Sequence, residues 1–517
     1  MLLSVGRVLL LGPAFFLFVF ACRHPPPKLN TTAPVIVQEI RLEGFDVLPA
    51  DDLDALRRKL PIQSGAALTD EAEQAAGNAA VEALQNHGYP FAQVQIAREP
   101  VDQNRTRLVV RAEPGVRGFF GSIEIAGNRR VDDAIIRRRL AYAPGDLFRR
   151  TAIQLSQQRI GSLGLFKSVD IRAEKLDARP SEVPTIVTVE ERSPWQWNLS
   201  LGYAAGEQLG VGARVSHLNF FGAARRLDLE GQVSRIDRQA EVRFTQTDAW
   251  HPSLSLSAEA RHWEINEHAF YVLSRGGQVA IGWQWTPEFA STVSYASAFE
   301  RSRVDDSLEL LTGLQDGMLN AWSVDLDHRR PSQMLMMHVE QAGGWLPGTF
   351  NYYNLIGEAR RYRPVFDDRA ILAGRVRFGS IDPMALESDI PMLKRLFLGG
   401  SEEMRGWGRY EVSPLSESGA AVGGKSLFSA TAEARFAIFR RLRGAMFVEA
   451  GNVWQKAWFA DLGSLLYDAG PGLRIDTAFG LLRFDLGYQL KPLAGLRIDG
   501  QPQKHRWRLN FGIGEAF

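Results

Sequence analysis

Catalysis needs a nucleophile, a base or a metal set at fixed spacing, and the reactive residues of this 517-residue chain form no such set. The nine histidines are scattered. None makes the H-x-x-x-H or H-E-x-x-H pair that places two imidazoles on one helix face around zinc. Gly161-Ser162-Leu163-Gly164 lacks the G-x-S-x-G spacing that exposes a serine on a strand-to-helix turn. Gly210-Val211-Gly212 sits in an alternating pattern without the helix that a dinucleotide pyrophosphate requires, and no phosphate-binding loop occurs. Cys22 is the only cysteine, which excludes an intramolecular disulfide and a cysteine-based metal site. No enzymatic activity, cofactor or metal is expected. A formal net charge of +1 gives no electrostatic footprint for nucleic acid.

The elements that would position any site divide into two kinds. From Trp195 onward, segments of about ten residues alternate with a period of two, as half-buried strands do. Leu227, Leu229 and Val233 alternate with Asp228, Glu230 and Gln232; Phe428, Ala430, Ala432, Ala434 and Phe436 alternate with Ser429, Thr431, Glu433 and Arg435. Charges at every second place suit a water-filled lumen rather than a dry sandwich core. About sixteen such segments can be read, an even number as single-chain bacterial barrels prefer. His505–Phe517 has Trp507, Leu509, Phe511, Ile513 and Phe517 on one parity and Arg506, Arg508, Asn510, Gly512, Gly514 and Ala516 on the other. Such an amphipathic strand is a liability on an open sheet edge and is intelligible in a closed barrel. The mean hydropathy is −0.16. After residue 22 no apolar run approaches the ~20 residues of a membrane helix, so a spanning region would use strands. Trp195, Trp250, Trp285, Tyr352, Trp407 and Trp454 fall near segment ends, where interfacial belts are built.

Residues 1–22 read as an export signal: Arg7, an apolar Val8–Phe20, then Ala21-Cys22. Val19-Phe20-Ala21-Cys22 admits lipidation of Cys22 or ordinary cleavage near Ala21. Residues 23–33 have the composition of a tether. Residues 34–114 and 115–193 carry one pattern twice: strand, two helical stretches, two strands. In the first, strands at Val35–Leu42, Phe91–Arg98 and Thr106–Ala112 accompany helical stretches at Ala50–Leu60 and Thr69–Asn86. In the second, strands at Gly121–Ala126, Ser168–Glu174 and Thr185–Glu191 accompany helical stretches at Val131–Leu140 and Phe148–Leu163. The expected fold is therefore two α+β repeats followed by an all-β transmembrane barrel of about sixteen antiparallel strands at 194–517.

One long connection, Ile381 to Lys425, interrupts the barrel pattern, and loops of that length are commonly functional. Its Leu398-Gly399-Gly400-Ser401-Glu402-Glu403-Met404-Arg405-Gly406-Trp407 resembles the V-R-G-F/Y signature of the BamA/TamA superfamily of outer-membrane assembly and translocation proteins. Further resemblances follow in family order: Glu433 in T-A-E-A-R-F, Phe447 to Trp454 against F-x-D-x-G-x-V-W, and Gly470 to Arg474 with Leu482 to Asp485 against G-x-G-x-R and L-R-F-D. Asn219-Phe220-Phe221-Gly222 resembles an early barrel motif, and the two repeats resemble polypeptide-transport-associated (POTRA) domains. The resemblance covers nearly all of 35–517. Glu449 stands where the family often has Asp, Met404 and Trp407 replace the commoner flanking residues, and only two repeats are present.

The resemblance implies a bacterial outer-membrane location with the repeats in the periplasm. It implies a lumenal loop, Met404, Arg405, Gly406 and Trp407, with Arg405 meeting Glu433 and Glu449 on the barrel wall. A guanidinium fork suits two carboxylates at once, and Gly406 would allow a tight backbone beside it. It further implies a lateral seam between Trp195–Ala204 and Arg506–Phe517, marked by Trp195, Gly512, Gly514 and Phe517, at which client strands pair by β-augmentation. The partners so implied are outer-membrane lipid, unfolded or extended clients, and a periplasmic or inner-membrane protein of TamB type reached through the repeats. The readings left open are a TamA-like assembly or translocation factor, a two-partner secretion pore, and a passive porin.

Overall fold

The computed structural model describes residues 35–517 except 103, 178–180, 205–207, 268–269, 305–315, 367–368, 387–388, 478–479 and 499. The signal, tether and Cys22, and the short connections at 205–207 and 478–479, lie outside the described residues.

In the first repeat, β1 (Ile36–Glu43) runs parallel to β3 (Arg105–Glu113), which pairs antiparallel with β2 (Gln93–Pro100). Two helices, α1 (Ala50–Lys59) and α2 (Asp70–Asn86), complete the unit. Thr69 caps α2 by accepting from Ala72 N at 3.2 Å. Val37, Leu84, Leu108 and Val110 form its core. The second repeat repeats the order with β4 (Phe119–Ala126), α3 (Asp133–Arg137), α4 (Arg150–Gly161), β5 (Phe166–Ala173) and β6 (Glu182–Glu191), its sheet ordered β4-β6-β5. A shared device marks the kinship. Gly44 and Gly127 each follow the first strand at positive φ (+78° and +90°), and a Cβ there would meet Ala112 O at 2.2 Å and Val189 O at 2.0 Å respectively. Only glycine fits both demands.

Sixteen strands then form one sheet. They are β7 (Trp195–Ala204), β8 (Gln208–Phe220), β9 (Arg225–Val233), β10 (Asp237–Thr247), β11 (Leu254–Asn266), β12 (Phe270–Gln284), β13 (Phe289–Val304) and β14 (Gly317–Arg330). The order continues with β15 (Gln333–Ala342), β16 (Tyr352–Val365), β17 (Ala370–Pro383), β18 (Ser426–Phe439), β19 (Leu442–Trp454), β20 (Leu466–Thr477), β21 (Gly480–Lys491) and β24 (Trp507–Ile513). The short pair β22 (Arg497–Ile498) and β23 (Gln501–Pro502) lies in the connection before β24. Among the described residues a register joins each neighbour along the order, and none joins β24 back to β7, although the two strands approach one another.

Burial is inverted relative to a soluble sheet. Leu199, Val233, Val279, Ile281 and Leu509 are exposed, while Asp228, Glu300, Glu433, Asp485 and Gln489 are buried. That is the signature of a strand with lipid outside and polar groups within. Among the described residues no helix is long and apolar enough to cross a membrane. Trp195, Trp250 and Trp285 lie on the exposed side, but Tyr352, Trp407 and Trp454 are buried and do not join an interfacial belt. Tyr352 and Trp407 instead belong to an apolar core with Leu398, Met404, Val412, Leu427 and Val453, built where the long loop packs against the barrel.

Candidate functional site

The loop between β17 and β18 spans 384–425 and is pinned by isolated bridges at Leu396↔Gly424 and Leu398↔Val412. Its apolar side chains supply the core just described, so the burial of Met404 and Trp407 holds the intervening Arg405 against the wall. Met404 carries φ +54°, and Trp407 N donates to Met404 O at 2.9 Å. The turn so closed runs from Met404 to Trp407 with Arg405 and Gly406 at its centre, and its positive φ falls on Met404. Gly406 is required for close approach, since a Cβ there would meet Asp468 Cβ at 2.9 Å.

The receiving wall follows from register. Thr431↔Glu449, Glu449↔Asp468 and Asp468↔Gln489 align four inward side chains in one row across β18, β19, β20 and β21. Glu433↔Phe447 and Phe447↔Gly470 form the adjacent row. Asp485↔Asn510 carries the wall to β24. Gly487 leaves the hollow that the loop fills: a Cβ would lie 2.5 Å from both Arg405 C and Arg405 O.

Arg405 is fully buried. Its Nη1 donates to Glu433 Oε2 at 2.8 Å and Asp485 Oδ2 at 3.2 Å, and its Nε to Glu449 Oε1 at 3.3 Å. Its backbone N donates to Glu449 Oε2 at 2.6 Å, and Gly406 N to Asp468 Oδ2 at 2.7 Å. The guanidinium carbon lies 3.5 Å from the centroid of the Phe447 ring, a cation–π stack. The expected partners Glu433 and Glu449 thus stand at bonding distance. Asp485, Asp468 and Phe447 join them without having been singled out. Phe447 shares the lumenal face of Glu449, and its ring is the plate on which Arg405 rests. The acids have further cations: Arg474 Nη1 donates to Asp485 Oδ1 at 2.6 Å, and Arg435 Nε to Glu433 Oε1 at 2.7 Å. Four guanidinium groups (405, 435, 474, 483) therefore interleave with four carboxylates (433, 449, 468, 485) in a water-poor pocket. Such a network orders the loop against the barrel wall.

Its last connection reaches the sheet's terminal strand. Asn510 Nδ2 donates to Arg405 O at 2.9 Å, Arg508 pairs with Glu411 of the loop, and Gln489 Nε2 donates to Gly406 O at 2.8 Å. Of the expected seam residues, Trp195 lies on β7, exposed, edge-on to His217 at 4.7 Å. Gly512 faces Arg483, whose Nη2 would lie 2.9 Å from a Cβ, and Gly514 ends β24 at φ +93°. Phe517 is not on the outer face that the alternation assigns it. The chain turns inward after Ile513, and Phe517 packs with Ala373, Ala516 and Tyr362, under the Arg435 guanidinium. The left-handed backbone at Gly514 breaks the parity that the sequence pattern extrapolates.

A repeat arm ahead of a sixteen-stranded barrel whose lumen holds a folded-in loop defines an outer-membrane barrel protein with periplasmic N-terminal domains. The Omp85 superfamily domain matches residues 219–517, and the surface antigen variable number repeat, of the POTRA type, matches 35–115 and 119–192. The chain belongs to the Omp85 superfamily, within which the BamA/TamA proteins fall. It is 24% identical over 493 residues to the outer membrane protein assembly factor BamA of Neorickettsia risticii, covering 90% of this chain and 64% of that protein. It is 21% identical to BamA of Neisseria meningitidis, covering 83% and 60%. The chain thus spans under two thirds of the length of these curated relatives. BamA from Haemophilus ducreyi lacking POTRA domains 1–3 shares the fold at a TM-score of 0.76 and 15% identity, covering 93% of this chain and all of that one. CdiB from Escherichia coli shares it at 0.54 and 15%, covering 95% and 93%.

Proposed function

We propose that this protein assembles or translocates client proteins at the outer membrane by pairing client strands at the seam between β7 and β24. The observation that carries this reading is the construction of β24. It has seven residues against ten in β7, glycine lies at its end, and its inward side chains are bonded to the Arg405 loop rather than to a continuing sheet. A strand held from within while its outer edge lacks a full partner offers N–H and C=O groups to an incoming strand. Burial and backbone pairing in lipid supply the driving force, so the step needs neither ATP nor a catalytic residue. The repeats end their sheets on β2 and β5, edge strands at which extended clients, or a periplasmic or inner-membrane partner of TamB type, can add.

Among assembly and translocation roles, a TamA-like one is favoured. A two-partner secretion pore is the second reading, kept because CdiB from Escherichia coli shares the fold at a TM-score of 0.54. Depletion followed by outer-membrane proteomics separates them. Loss of many barrel proteins supports assembly, loss of a single exported protein supports a dedicated pore, and no change contradicts both.

A further inference from the structure

The second repeat meets the barrel through a turn that one carboxylate organises. Glu191, the last residue of β6, accepts from Arg129 N and Arg130 N at 2.7 Å each, from Val131 N at 3.0 Å and from Arg130 Nε at 3.0 Å. The turn so held presents its Arg130 carbonyl to the barrel, where Asn219 Nδ2 donates to it at 2.8 Å. Asn219 is itself fixed, since its Oδ1 accepts from Ala224 N at 2.9 Å across the Asn219-Phe220-Phe221-Gly222 turn between β8 and β9. Beside it, Arg139 pairs with Asp248 of the β10–β11 turn, both side chains largely shielded. All these residues fall in the same compact unit.

The first repeat is an internal control. The shared glycines align Val189 with Ala112, so Glu191 falls where the first repeat has Pro114. A carboxylate gathering three backbone N–H groups is therefore a feature of the repeat beside the barrel, not of the repeat fold. We propose that Glu191 is a positioning residue that fixes the second repeat to the barrel rim, through the 128–131 turn and Asn219, and so sets where β7 leaves the repeat. The rim turn it grips joins the two strands following the seam's first strand, and Leu218 N donates to Pro194 O at 2.8 Å at the same junction. Burial raises the Glu191 carboxyl, but its backbone and Arg130 donors outweigh that and hold it at about 2. The clamp is thus fully charged at neutral pH. This inference goes beyond the assembly reading and does not depend on it.

The test uses the full chain in lipid nanodiscs, with Cys22→Ser and spin labels at Ser162→Cys in the second repeat and Ser332→Cys in the β14–β15 turn. Pulsed dipolar spectroscopy should give one narrow distance peak. Glu191→Ala and Asn219→Ala should each lose that narrow peak while the barrel keeps its heat-modifiable mobility on gels. Glu190→Ala, which removes the neighbouring carboxylate paired with Lys167, should keep it. If Glu191→Ala prevents folding, Asn219→Ala alone decides, because it leaves the carboxylate and its turn intact. A narrow peak surviving in both clamp variants, or equal broadening by Glu190→Ala, overturns the proposal.

Discussion

Replacing Arg405 by alanine removes one cation from among three buried carboxylates, and the structure says which of them is left bare. Glu433 keeps Arg435 at 2.7 Å, and Asp485 keeps Arg474 at 2.6 Å. Among the described residues Glu449 keeps neutral donors, Thr431 Oγ1 at 3.2 Å and the backbone N of residue 405 at 2.6 Å. Removing one partner of a buried pair costs about 3–5 kcal/mol, most of it the unpaired charge that remains. The lost stack on Phe447 adds about 1–2 kcal/mol when measured alone. The terms share a side chain and do not sum, so about 4 kcal/mol is the working figure. That corresponds to about three orders of magnitude in the equilibrium between locked and released loop. Denaturant titration of the full chain in lipid, followed by gel mobility of the folded barrel and by protease cleavage within 398–412, reads both barrel and loop. Arg405→Ala should lower the midpoint and open the loop to cleavage. Arg405→Met with Glu449→Gln should recover much of the loss, because the neutral amide leaves no bare charge and its oxygen can still accept from the backbone N of residue 405. An unchanged Arg405→Ala midpoint, or a double variant no better than Arg405→Met alone, would refute the reasoning.

Other substitutions probe the same network from different sides. Gly487→Ala places a Cβ 2.5 Å from the Arg405 carbonyl and should expel the loop, seen as protease sensitivity without loss of the barrel's strand signal in circular dichroism. Phe447→Leu removes the ring 3.5 Å from the Arg405 guanidinium and should cost about 1–2 kcal/mol in the same titration. Asn510→Ala frees the Arg405 carbonyl from β24 and should speed hydrogen exchange in 507–513 more than in β21. Glu191 has a folded pKa depressed to about 2 from 4.5, so its contribution is complete above 4.5 and lost as pH falls through 2. The narrow repeat-to-barrel distance should therefore persist at pH 5 and broaden only in that acid range, and Glu191→Gln should abolish this acid step.

The barrel was legible because its strands obey one rule at every position. Lipid outside and polar groups inside give strict alternation, as at Leu227–Val233 and Phe428–Phe436, and the sixteen-stranded sheet follows from counting such segments. The lock was legible in part. Glu433 sits on the polar parity of a clean strand, and the loop motif pointed Arg405 at it and at Glu449. Asp485 also lies on a polar parity, but nothing in one strand says which loop residue its carboxylate will meet. Asp468 stands in Leu466-Tyr467-Asp468-Ala469-Gly470, where small residues break the alternation; at Gly470 a Cβ would meet Phe447 Cζ at 2.8 Å. Phe447 shares the parity of Glu449, and nothing in the sequence says that this apolar ring on a polar face is the plate on which Arg405 stacks. The inward turn of Phe517 was hidden for a related reason: a period-two pattern carries no mark of the positive φ at Gly514 that ends it. In the second repeat, the helix expected over Val131–Leu140 shortens to Asp133–Arg137, capped by Asp132 accepting from Ala134 N at 2.8 Å. The residues on either side serve the turns gripped by Glu191 and the Arg139–Asp248 pair.

The seam can be tested by tethering it. Cysteines at facing positions of β7 and β24, in a Cys22→Ser chain reconstituted into vesicles, should form a disulfide that stops insertion of an added unfolded barrel client, with insertion restored by reductant. Client insertion at an undiminished rate while gels show the tether complete would contradict strand pairing at this seam as the working step.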